Sequence, residues 1–199
     1  MHSDDVDDTL ATSSCHRDAG FSLAEAVIAT AILATAIASL AQVLAMSVAT
    51  NRIARYASTA AMLAAQKMEA LRGITYGFDP LGLPLTDTTT NLAVSPPTPD
   101  GGTGLSASPA TALQVSTPGY VDYVDAFGHT VGAGGSSVPR GAVYIRRWSV
   151  EPLPTNPNNT LVLQVLVARA RGTSTVNQGR VSRMPDEARF VTVKTRKAT

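Results

Sequence analysis

Hydrophobic and polar positions divide the 199-residue chain into regimes of different period. From Ala26 to Asn51 no residue is charged, and the run AVIATAILATAIASLAQVLAMSVAT offers only Thr30, Thr35, Ser39, Gln42, Ser47 and Thr50 as polar side chains. A soluble core helix carries a polar face at helical spacing, whereas about 20 consecutive apolar residues suffice to cross a bilayer. The run therefore predicts a transmembrane helix.

Beyond Asn51 the pattern changes without a breaker. Ile53, Tyr56, Ala60, Leu63, Ala64, Met68 and Leu71 recur at steps of three and four, with Arg52, Arg55, Gln66, Lys67 and Arg72 on other sides. One helix from about Phe21 to Arg72 is predicted, roughly 75 Å long at the helical rise, with an apolar first half, an amphipathic second half and Gly73 as its C-cap. Met62, Met68 and the leucines of this stretch read as core packing.

Residues 77–119 hold seven prolines among many Thr, Ser and Gly and read as loop. Gly101, Gly102 and Gly104 are not a phosphate loop, because no Lys-Ser/Thr pair follows them. Four strand patterns come next. YVDYVDAFGHTVG alternates around a turn at residues 126–128 and predicts a hairpin, and AVYIRRWSVEPL, TLVLQVLVARA and ARFVTVKTR predict three more strands of a mostly antiparallel sheet. Arg146 and Arg147 break the alternation, as a bulge would, and Trp148 is the expected core anchor.

Composition narrows the function. The length suits one ordinary domain plus a targeting or membrane element. The net charge of +1 hides a split: residues 1–20 carry five Asp against Arg17, leaving 15 basic and 10 acidic residues beyond them. Eleven Lys or Arg fall in residues 140–199. Interleaved on strands, they read as a solvated surface before a nucleic-acid patch. Cys15 is the only cysteine, which rules out an internal disulfide, and of His2, His16 and His129 only the last lies beyond residues 1–20, too few for a His-based metal site or a Ser-His-Asp triad unless His129 serves alone.

The order of a polar leader, a glycine and an immediate apolar run reverses that of an ordinary secretory signal. GFSLAE, residues 20–25, followed by the uncharged helix, resembles the type IV prepilin family, whose signature is Gly, usually Phe, Ser or Thr, Leu, any residue, Glu. AAQKMEALR further resembles the helix end of PilV-like minor pilins and of the I-type pseudopilins of type II secretion. The resemblance implies an α+β pilin fold, with a long N-terminal helix packed on an antiparallel sheet. In that scheme 1–20 is a cleaved leader, 21–50 a transmembrane and polymerisation helix, 51–73 its amphipathic continuation, 74–119 a variable loop and 120–199 the β-sheet domain.

Carried over residue by residue, the resemblance implies cleavage between Gly20 and Phe21 by a membrane prepilin peptidase, and methylation of the Phe21 amine. It also implies an ion pair between Glu25 and the Phe21 amine of a neighbouring subunit. A carboxylate one turn into a membrane helix costs several kcal/mol unless paired, so such a contact would offset desolvation and set axial register. The implied partners are the peptidase, other pilin or pseudopilin subunits, the inner-membrane assembly platform and membrane lipid. No cofactor, metal or small-molecule substrate is expected. The implied location is the inner membrane, single-pass with the C-terminal domain in the periplasm, and then a pilus or pseudopilus.

The leading expectation is a minor pilin of the initiation or tip complex, since the helix-breaking Gly and Pro of many major pilins would fall at Ala34 and Gln42, and no C-terminal cysteine pair exists. A type II secretion pseudopilin is the runner-up. A DNA-uptake pilin would use Arg140, Arg146, Arg147, Arg169 and Arg171. An enzyme is disfavoured: Asp122 and Asp125 would point to opposite faces of a regular strand, a poor start for a carboxylate pair.

Overall fold

The computed structural model describes residues 22–170 and 186–197. The described chain falls into two units that divide between Ser47 and Val48.

The first unit is helical. Helix α1, Leu23–Gly73, begins here, and every side chain from Ser22 to Ser47 is exposed. Its most apolar stretch has a mean hydropathy of 2.1 over 18 residues, long and apolar enough to cross a membrane. Three hydroxyls on this stretch are satisfied internally. Thr30 Oγ1 donates to the carbonyls of Ala26 and Val27, Thr35 Oγ1 to Ile32 and Ser39 Oγ to Thr35. Such back-bonding keeps these three hydroxyl protons from facing hydrocarbon unpaired, which would otherwise cost several kcal/mol each.

In the second unit, the remainder of α1 buries Ala60, Leu63, Ala64, Lys67, Met68 and Leu71, one stripe at helical spacing. The stripe packs into one core with Trp148, Val150, Leu163, Val165 and Val167 of the sheet. Among the described residues the strands are β1 (Tyr76–Phe78), β2 (Pro84–Thr86), β3 (Val121–Val124), β4 (Thr130–Ala133), β5 (Tyr144–Pro152), β6 (Thr160–Arg169) and β7 (Ala188–Thr195). β1 and β2 form a small ladder, and the other five make one sheet in the order β4-β3-β5-β6-β7, antiparallel throughout.

Several expectations needed revision. No bulge interrupts β5 at Arg146 or Arg147, since its register with β6 runs unbroken from Tyr144↔Arg169 to Pro152↔Leu161. A register irregularity lies instead between Tyr123 and Val124, opposite β4. The alternation breaks because β5 is covered on both faces, with every residue from Tyr144 to Val150 buried. Met62, expected in the core, is 67% exposed, whereas Lys67, expected on another side, lies in the buried stripe.

The Pro-rich stretch is also more structured than a loop reading implied. It contributes the end of β1 and all of β2, and Asp87 orders the turn after β2 by accepting the amides of Thr89 and Thr90 at 2.9 and 3.0 Å. The glycines serve close packing: a Cβ on Gly102 would fall 2.2 Å from the Asn91 Cα. Because β3 is short, Ser108 continues its edge, its amide donating to the Val150 carbonyl while its Oγ accepts the Val150 amide.

Gly73 is the last helical residue and does not adopt the left-handed conformation of a glycine cap. The helix end is closed from β7 instead. Lys194 Nζ donates to the carbonyls of Leu71, Arg72 and Ile74 at 3.3, 2.6 and 2.5 Å. A cation at this position answers both the unpaired carbonyls and the negative end of the helix dipole.

Candidate functional site

The motif residues fall at the start of α1. Gly20 and Phe21 lie outside the described residues. Ser22 caps the helix: its Oγ accepts the Ala24 amide at 3.2 Å, and its carbonyl accepts the Ala26 amide at 3.1 Å. Glu25, three residues on, is an exposed acid in the first turn. Serine followed three residues later by glutamate is the order of a capping box, and a carboxylate here faces the positive end of the helix dipole.

The other acids singled out in the sequence, Asp122 and Asp125, do not share one strand, because Asp125 lies in the turn just past β3. Asp125 turns the β3–β4 hairpin, its Oδ1 accepting the amides of Phe127 and His129 at 2.8 and 2.9 Å. The exposed His129 ring lies 3.4 Å from the same carboxyl. Asp122 faces the helix and is fully buried. Its carboxylate meets Lys67 Nζ at 2.7 Å and takes a two-pronged bond from Arg146, Nε to Oδ1 at 2.9 Å and NH2 to Oδ2 at 2.8 Å.

This cluster joins helix, sheet and loop. Arg146 NH1 also donates to the Leu63 carbonyl and to Gln66 Oε1, each at 3.3 Å. Lys67 donates to the Leu92 carbonyl and sits 4.5 Å above the Trp148 ring. Two cations share one anion, and arginine does not deprotonate in proteins. Lysine is the group that can yield: burial lowers its pKa to about 8, with Arg146 adding to the fall and Asp122 opposing it. The sequence carried no sign of the cluster, because Lys67, Asp122 and Arg146 come from three distant elements.

The arginines of a DNA-binding reading do not form one surface. Arg140 is exposed, Arg146 and Arg147 are buried, and Arg169 stacks 4.1 Å from the Tyr56 ring centre. Arg171 lies outside the described residues. A shallow cleft of about 360 Å³ lies between Tyr76, Thr86, Leu105, Asn158, Leu161 and Arg196. The Arg196 guanidinium there is engaged by the carbonyls of Asn158, Gly77 and Leu85 at 2.8, 3.1 and 2.9 Å. Among the described residues no three His, Cys, Asp or Glu side chains gather as metal ligands.

The chain matches no protein-family model, no curated protein and no solved structure. What stands is a protein with one N-terminal helix apolar enough to cross a membrane and an α+β layout in which that helix continues onto an antiparallel sheet.

Proposed function

We propose that this chain is a structural, non-enzymatic subunit of a type IV pilus, a minor pilin of the initiation or tip complex. The observation that carries the reading is the hexapeptide Gly20 to Glu25 set directly against an uncharged helix. Its polar leader stays cytoplasmic, the apolar half of α1 spans the inner membrane, and the β domain lies in the periplasm. The prepilin peptidase cuts after Gly20 and methylates the Phe21 amine. The subunit then leaves the bilayer with its helix packed among those of its neighbours, where Glu25 pairs with a neighbour's Phe21 amine. The internally bonded hydroxyls of Thr30, Thr35 and Ser39 support the proposal, since such a helix can pass between lipid and a dry filament core without breaking hydrogen bonds.

The same chemistry serves a pseudopilin of a type II secretion system, the alternative that the AAQKMEALR helix end keeps open. A deletion strain separates them: lost piliation marks the pilus, lost exoprotein secretion the other machine. Burial of Arg146 and Arg147 and stacking of Arg169 on Tyr56 weigh against the DNA-uptake reading.

The decisive experiment is the N-terminal sequence and intact mass of the protein from membranes, with and without the prepilin peptidase. A peptidase-dependent form beginning at Phe21 with one added methyl group is expected. A leader retained in both strains overturns the proposal.

A further inference from the structure

Arg146 and Arg147 are neighbours on β5 with opposite electrostatic situations. Successive strand residues face opposite sides of a sheet. Arg146 therefore meets Asp122 on the helix side, while Arg147 faces the other side with Val121 of β3 and Leu166 of β6 as its cross-strand partners. Arg147 is 4% exposed, and among the described residues it has no carboxylate within ion-pair distance. Its polar contacts are neutral: NH1 to the Leu113 carbonyl at 3.4 Å and NH2 to Ser116 Oγ at 3.1 Å. Its Nε is buried with no partner among the described residues.

An unpaired guanidinium in such a place is costly, and arginine cannot escape the cost by losing its proton. A second unpartnered group lies beside it. Ser149, two residues along the same face, is 1% exposed, and its Oγ has no hydrogen-bond partner among the described residues. Two residues of strand span roughly 7 Å, a gap that one small oxyanion can bridge. The Ser116 hydroxyl accepts from Arg147 through its oxygen, which leaves its own proton to donate.

Neighbouring groups do not fill the role. The Tyr123 hydroxyl donates to the Gly135 carbonyl at 2.7 Å, and Glu151, farther along the strand, accepts from Gln164 at 3.4 Å. The geometry points to a binding site for a small tetrahedral oxyanion, phosphate or sulfate, held by the Arg147 fork and the hydroxyls of Ser149 and Ser116. The burial of Arg147 limits the ligand to a free ion and excludes nucleic acid, lipid headgroups and phosphorylated peptides. This site goes beyond the pilin reading and stands or falls independently of it.

The test is thermal unfolding of the full-length protein in detergent, followed by the fluorescence of Trp148, the chain's single tryptophan. Inorganic phosphate, sulfate and chloride are compared at matched ionic strength. A saturable rise in Tm with phosphate or sulfate but not chloride is expected. It is lost in Arg147→Met, and the half-saturating concentration rises roughly tenfold in Ser149→Ala. An equal rise in wild type and Arg147→Met is general anion exclusion from the surface and overturns the site, as does the absence of any rise over chloride. Where Arg147→Met does not fold, Ser149→Ala decides: an unshifted half-saturating concentration overturns the site as well.

Discussion

The ammonium of Lys67 lies 2.7 Å from the carboxylate of Asp122, and both groups are buried beneath helix α1. Because Arg146 grips the same carboxylate with two bonds, the members of this cluster are unequal. Removing Asp122 strands two buried cations, whereas removing Lys67 leaves a balanced Arg146–Asp122 pair. Asp122→Ala should therefore destabilise the domain by about 3–5 kcal/mol, and Lys67→Met by a small fraction of that. Guanidinium unfolding of the two variants in detergent checks this. Equal costs would mean that the cluster behaves as three independent contacts.

Stability should rise with pH through the same residue. Lys67 has a folded pKa of about 8 against an ordinary value of 10.5, so in that window the unfolded chain holds a proton that the native state has released. The slope of unfolding free energy is then positive between those values, flat below them, and worth at most about 3 kcal/mol in total. Burial, with Lys197 and Arg72 close by, also holds Lys194 below the ordinary lysine range. Its contribution has the same sign and cancels in a comparison with Lys67→Met. Denaturation midpoints from pH 7 to 9.5 should climb more steeply in wild type than in Lys67→Met, and parallel curves would refute the assignment.

Lys194 closes the C-terminal end of α1 with three carbonyl contacts, work that no other side chain of the described residues takes on. Lys194→Met should cost about 1 kcal/mol, the usual scale for a lost helix cap, while Lys194→Arg retains part of it. Hydrogen exchange offers the sharper readout. Amides of the last turn of α1 should lose protection in Lys194→Met while those of β5 and β6 keep theirs. Uniform loss across the sheet would show instead that Lys194 acts through β7 pairing.

Local forces leave their mark on consecutive residues, and long-range ones do not. The span of α1 and the strands β3 to β7 were legible because apolar periods of 3.6 and 2 are written in neighbouring positions. Trp148 was recognisable as core for the same reason. Arg146 and Arg147 misled, because a strand covered on both faces has no alternation to read, and their partners Asp122, Leu113 and Ser116 are brought close only by the fold. Lys67 was misassigned because a charge within an apolar stripe looks like a gap until its counter-ion is known. Ser22 and Glu25 stand at the capping-box spacing, which the sequence reading passed over in favour of the prepilin signature, and the structure places Ser22 at the cap.

That placement gives Glu25 a local role, separable from the one between subunits that the proposed function assigns to it. As a helix residue it complements the positive end of α1, a contribution of about 0.3–1 kcal/mol that Ser22 shares through its cap. In the proposed filament it would be the carboxylate that answers the Phe21 amine of a neighbour. Ser22→Ala and Glu25→Gln weaken the helix start by comparable amounts, yet only Glu25→Gln removes the charge that an ion pair needs. Both variants should be cleaved by the peptidase, Ser22→Ala should enter filaments at nearly wild-type levels, and Glu25→Gln should accumulate in the membrane as processed monomer. Quantifying the protein in sheared filaments against the membrane fraction reads the difference. Equal incorporation of the two variants would reduce Glu25 to a capping residue and remove the ion pair from the proposed assembly.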